Sequence, residues 1–243
     1  MFALLVKEIN SFLNSLIGYI VIIVFLLALG LFLWVFPGDS NILEGGFATI
    51  EPLFVIAPWV FMFLIPAITM RSFAEEKRSG TLEFLLTKPI TETQIVLSKF
   101  FAGLLLVILA ILPTFIYFFS VKGLGNPVGN IDAGATYGSY LGLIFLGGAF
   151  VAIGIFASSL TENQVISFIL SLFFCFLFYV GFDYLASIPV FQNIADFISS
   201  LGINNHYLSI SRGVVDTRDL IYFLSIMGLF IVLTRLKIVS RKW

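Results

Sequence analysis

The stretch LIGYIVIIVFLLALGLFLWVF, residues 16–36, runs for 21 residues without a charged side chain. At 1.5 Å rise per residue, about 20 apolar residues cross a hydrocarbon layer roughly 30 Å thick. The run exceeds the ~7–15-residue apolar core of a signal peptide, and no small-x-small cleavage site follows it, so it reads as a retained span. Outward from it, four further charge-free runs have the same character: Leu53–Met70, Phe100–Val121, Tyr137–Leu160 and Val165–Phe182. A shorter sixth, Leu220–Thr234, can continue towards Val239 because Arg235 and Lys237 can snorkel to the interface. Composition agrees, with 60% hydrophobic and 11% charged residues in 243 and a mean hydropathy of +1.09. A soluble domain spends about a quarter of its residues on charge. The 29 Phe and 8 Tyr exclude a disordered chain. The sequence predicts an all-α polytopic membrane protein of six transmembrane helices, one domain over residues 1–243.

Charge then orients the spans. One side carries Lys7, Arg71, Lys77, Arg78, Lys88, Lys99, Arg235, Lys237, Arg241 and Lys242; the other carries only Lys122, Arg212 and Arg218. Ten basic residues against three place both termini in the cytoplasm by the positive-inside rule, as an even number of spans requires. In a bacterium this is a multi-pass inner-membrane protein.

Three segments outside the spans carry a pattern. In residues 1–16, Phe2, Leu5, Val6, Ile9, Phe12 and Leu13 recur at helical spacing, with Lys7, Glu8, Asn10 and Ser11 opposite. That is an amphipathic helix suited to the cytoplasmic interface. The loop of residues 71–99, RSFAEEKRSGTLEFLLTKPITETQIVLSK, holds five of the thirteen basic residues and four acids between two apolar helices. Gly80 permits a turn, Thr81 is placed to cap a short helix through Leu82, Phe84, Leu85 and Leu86, and Pro89 stops it. Thr91 and Gln94 then form a capping box that leads into span three. A solvated loop needs no Leu-Glu-Phe-Leu-Leu, so this helix docks either on another protein or on the membrane surface. In the outer loop of residues 188–218, Val190, Phe191, Ile194, Phe197, Ile198 and Leu201 have helical spacing but too short a run to span, and Gly202 with Asn204–Asn205 breaks the pattern. Span four opens with Gly134, Gly138 and Gly142, a stripe of small residues for close packing within the subunit or against a second copy.

Catalytic patterns are missing. There is no HExxH, GxSxG or paired Cys-x-x-Cys, and Cys175 is the single cysteine. The lone His206 reads as a surface histidine, and Asp183 falls at the outer end of span five, within reach of headgroups. A formal charge of −1 gives no support for nucleic-acid binding. No span carries a charge at its middle, which argues against an ion-coupled carrier. The chain also lacks GxxxxGK[ST], so it has no P-loop for ATP. Six spans with a charged docking loop suggest a permease driven by a separate ATPase, with a membrane scaffold or an ion-coupled secondary carrier as alternatives.

The loop after span two resembles that of ABC-2-type transporter permease subunits. FAEEKRSGTLEFLLTKPITETQIVLSKF, residues 73–100, carries the resemblance, with Arg71, Glu75, Glu76, Lys77, Gly80, Thr81, Glu83, Leu85, Leu86, Pro89 and Lys99 in the family's pattern. The likeness extends over the whole chain, and more narrowly it is similar to the gliding-motility-associated ABC transporter permeases of Bacteroidota. The resemblance implies a coupling helix seated in a groove of an ATPase subunit, with contact through Glu76, Arg78, Thr81, Glu83, Phe84 and Leu85. Lys7 and Glu8 of the first helix would support it, and Arg71 would anchor the loop to headgroups or to that helix. It further implies a second permease subunit, an accessory outer-facing subunit, and ATP and Mg bound by the ATPase, with no cofactor and no catalytic residue in this chain.

Overall fold

Inside a bilayer every backbone N–H and C=O must be satisfied within the protein, which for charge-free runs of this length selects the α-helix. The computed structural model describes residues 2–240; Arg241 and Lys242, counted above on the cytoplasmic side, lie outside the described residues. An N-terminal helix α1 (Phe2–Leu13) bends by 64° into α2 (Leu16–Trp34). After an outer loop, α3 (Glu51–Thr69) returns and is followed by two short helices, α4 (Ala74–Arg78) and α5 (Thr81–Leu86). Then α6 (Glu92–Ile111) and α7 (Phe115–Leu124) form one rod with a 3₁₀ turn over Leu112–Thr114, at Pro113. The long helix α8 (Ala133–Leu160) runs back, and α9 (Gln164–Phe176) runs out through a π-helical turn at Leu177–Gly181 into α10 (Phe182–Ala186). The outer segment holds a 3₁₀ turn at Pro189–Ile194, α11 (Ala195–Ser199) and α12 (Ile203–Ser211), before α13 (Thr217–Val239) closes the bundle.

Among the described residues, five helical rods are long and apolar enough to cross a membrane, and six when the bent α1–α2 pair counts as one. All six predicted spans are therefore helices, and span three is longer than its charge-free core. Its helix begins at Glu92 because the capping box forms: Thr91 Oγ1 accepts from Gln94 N and Gln94 Oε1 accepts from Thr91 N, both at 3.3 Å. Pro58 and Pro66 sit inside α3 without ending it.

The bundle is organised around α8. Within its apolar window 78% is buried, against 22% for the rod Gln164–Ala186, which is therefore peripheral. Helices associate in lipid by close packing rather than by expelling water, so small residues decide where backbones meet. A Cβ on Gly154 would stand 2.1 Å from Thr69 Oγ1 and 3.0 Å from Ser171 Oγ, which brings α3 and α9 together onto α8. Higher on the same helix, a Cβ on Gly138 would stand 2.8 Å from the Gly213 carbonyl oxygen, and Gly142 faces Ile210. Those two glycines pack against the end of α12, whereas Gly134 meets only Asp132.

The outer segment differs from its sequence reading in one respect. Gly202 ends the preceding pattern as expected, but Asn204 and Asn205 lie inside α12 rather than breaking a helix. The reason is tertiary: Ile203, Tyr207 and Ile210 form a buried face, and the Tyr207 hydroxyl donates to Phe54 O at 2.7 Å. Asn204 is held by its side chain, whose Nδ2 donates to Asp183 Oδ2 at 2.8 Å. His206 is half-buried, with both ring nitrogens engaged. Its ring stacks on Tyr222, Nδ1 lies 2.7 Å from Asp219 Oδ1, and Nε2 lies 2.9 Å from Ser200 O.

Candidate functional site

The segment between α3 and α6 makes a helical hairpin at the basic end of the bundle. Its turn is Gly80, whose φ of +71° is a left-handed conformation that costs glycine nothing and strains a residue with a Cβ. Thr81 does not cap α5 as the sequence suggested. Gly80 occupies the N-cap, and the Thr81 hydroxyl, 2.9 Å from Ser79 Oγ, reaches back to Glu76 O at 3.4 Å. Thr81 thus ties the two arms of the hairpin together.

Ser158, at the end of α8, fixes the start of the hairpin. Its Oγ accepts from Phe73 N and Ala74 N at 3.0 and 3.1 Å and donates to Met70 O at 3.0 Å. A helix start leaves its first N–H groups without intrahelical partners, and one serine supplies two of them here. Lys77 Nζ also donates to Ser159 O. The hairpin therefore stands on the hub helix.

Beneath it lies a buried ion cluster. The Lys99 ammonium, on a side chain 1% exposed, is 3.1 Å from Glu8 Oε1 and 2.9 Å from Glu76 Oε1. The Phe73 ring faces the same ammonium, 5.0 Å from its centroid. Lys7 touches both carboxylates from the solvent side, at 3.3 and 3.4 Å. Two lysines and two glutamates from α1, α4 and α6 compensate one another, which a buried charge requires. Partial burial pulls the Lys7 ammonium down, but the neighbouring Glu8 and Glu76 carboxylates outweigh it, so its pKa stands above the usual 10.5. Lys7 stays charged at neutral pH.

The predicted contact residues divide on this scaffold. Arg78, Thr81, Glu83 and Phe84 are exposed, and Phe84 is 72% so. Leu82 is buried, while Leu85 and Leu86 pack half-buried against the core, so the bundle itself covers most of the apolar face of α5. Glu76 turns inward to Lys99 instead of outward. Glu8, placed by its spacing on the polar face of α1, is buried on that same lysine. Lys99, which the reading of the loop named only as part of the family's pattern and gave no role, is the central residue. Arg71 is half-buried beside this cluster, and its Nε is enclosed without a hydrogen-bond partner.

The whole arrangement, from interfacial helix to last span, can be set beside known families. The model of the ABC-2 family transporter protein matches residues 2–240. The chain belongs to the ABC-2 transporter family. A search of curated proteins finds no match. As an ABC-2 family protein it is a multi-pass membrane chain with a transport-related role. Among the described residues of this ABC-2 chain, no group of three or more His, Cys, Asp or Glu is placed to hold a metal.

Proposed function

We propose that this chain is the permease subunit of an ATP-driven ABC-2-type exporter, and that the α4–α5 hairpin receives the movement of a separate ATPase subunit. The observation that carries this reading is the hairpin's two-sided construction. Arg78, Thr81, Glu83 and Phe84 form an exposed face, while the opposite side is fastened to α1 and α6 through the Glu8–Lys99–Glu76 cluster and to α8 through Ser158. A push on the exposed face passes into two long helices and the interfacial helix at once. Glu76 and Leu85 then act as the inward root of the contact, and Lys7 and Glu8 as its support.

Family membership and the charge pattern support the rest of the assembly. Both termini and the hairpin are cytoplasmic, in a bacterial inner membrane, because ten of the thirteen basic residues fall on that side. Two ATPases bind ATP and Mg, and a second permease subunit completes the path. We assign that subunit to the apolar cleft of about 760 Å³ between α2, α3 and α9, lined by Val24, Val55, Trp59, Phe63 and Phe168. The narrower resemblance of the 73–100 segment supports a place in gliding motility, with an accessory subunit on the outer face.

Glu83→Lys tests the placement. The side chain is exposed, so the variant inserts and accumulates normally, but it lowers both ATPase recovery with the tagged chain and transport-coupled ATP hydrolysis. Normal association and normal coupling in Glu83→Lys contradict this interface.

A further inference from the structure

A cavity of about 340 Å³ opens at the basic end of the bundle, between α1 and the junction of α3 with α4. Ile68 and Phe12 line its apolar side; Arg71, Ser72, Ser11 and Glu76 line its polar side. Its depth is set by the chain: α3 ends its apolar run there, and α1 bends by 64° into α2 beside it. That is the level of lipid headgroups. The space is far above the ~10–15 Å³ that one water needs.

Two of the residues that line this cavity each carry a buried polar atom with no partner. Arg71 Nε is an unused donor, and Glu76 Oε2 is an unused acceptor. Lys7 and Lys99 lie on Glu8 Oε1 and Glu76 Oε1 and leave Glu76 Oε2 unserved, and an ammonium, itself a donor, cannot serve Arg71 Nε. Buried groups of this kind ordinarily find a partner. The lining also carries no net charge: Lys7, Arg71 and Lys99 stand against Glu8, Glu75 and Glu76. A plain anion gains nothing from such a site as a whole. A zwitterion does, with its phosphate on Arg71 and a hydrogen-bonding ammonium on Glu76.

The geometry points to a binding site for one phospholipid with a phosphate and a primary amine in its headgroup, a phosphatidylethanolamine, held between α1 and the α3–α4 junction. The phosphate accepts from the Arg71 guanidinium, and the ammonium donates to Glu76 Oε2. The acyl chains leave past Phe12 and Ile68 into the bilayer. Bound there, the lipid joins the interfacial helix to the base of the hairpin.

The full-length chain, extracted in mild detergent, is loaded with dioleoyl phosphatidylethanolamine, phosphatidylcholine or phosphatidylglycerol, and retained lipid is counted by native mass spectrometry. Phosphatidylcholine keeps the phosphate but cannot donate from its quaternary nitrogen, and phosphatidylglycerol has no cation. One phosphatidylethanolamine is expected to be retained about tenfold more tightly than either, the effect of one charge-assisted hydrogen bond. Glu76→Gln lowers the preference over phosphatidylcholine, Arg71→Gln weakens retention of all three lipids alike, and excess phosphoethanolamine does not displace the lipid. Equal retention of the three lipids in the wild-type chain overturns the proposal, whether or not Glu76→Gln folds. So does an unchanged preference over phosphatidylcholine in a folded Glu76→Gln protein. Displacement by phosphoethanolamine overturns the lipid source in favour of a soluble ligand.

Discussion

Lys99 is the residue on which the site rests, and its position could have been read from the sequence. It falls four residues after Ile95, three before Ala102 and four before Gly103, all on the inward face of α6. A lysine on a buried helical stripe needs carboxylates close by. Which carboxylates was not legible, because Glu8 and Glu76 are 91 and 23 positions away by residue number and meet it only in three dimensions. Glu8 was misplaced for a related reason. Spacing within α1 separates a polar from an apolar face, but α1 packs a mixed face, Leu4 with Glu8, against its neighbours. Lys99→Ala leaves two buried carboxylates with Lys7 alone. It is expected to cost about 3–5 kcal/mol, the usual penalty for breaking a buried pair, read as a lowered melting temperature of the chain in detergent. Alanine at exposed Lys88 should change it little.

At the scale of elements, the hairpin was visible and its fine structure was not. Gly80, Pro89 and the Thr91–Gln94 capping box bound it as the sequence indicated, since glycine, proline and a capping pair act locally. Thr81 was read as a cap because capping is a local preference, whereas its hydroxyl is claimed by Glu76 O and Ser79 across the turn. Asn204 and Asn205 were read as breakers, and the burial of Tyr207 overrides that preference. Gly80→Val forces a branched side chain into a left-handed turn, at about 1–2 kcal/mol. The bundle's core does not depend on that turn, so we expect Gly80→Val to insert normally while losing ATPase coupling. A coupled ATP-hydrolysis assay on the extracted complex measures this, and unimpaired coupling means that the turn geometry is dispensable.

For the whole molecule, hydropathy and charge placed all six rods, because a bilayer leaves few other solutions. They did not reveal that α8 is the hub: its two tightest positions, Gly147 and Gly154, lie beyond the evenly spaced Gly134–Gly142 stripe, and which neighbour each small residue meets is set only in three dimensions. Gly154→Leu overpacks the junction of α3, α8 and α9 at Thr69 and Ser171. The expected cost is about 1–3 kcal/mol or more. Gly228→Leu, with open space around its Cβ position, serves as the neutral comparison. Folded yield after detergent extraction should fall for the first and hold for the second. The central claim is that the exposed face of α5 docks on an ATPase, and Phe84 offers the most direct test of it. A photo-crosslinking amino acid at position 84, activated in intact cells, should join this chain to a soluble protein bearing a GxxxxGK[ST] loop. Cross-links confined to lipid, with no such protein recovered, would contradict it and leave α5 as a membrane-surface helix.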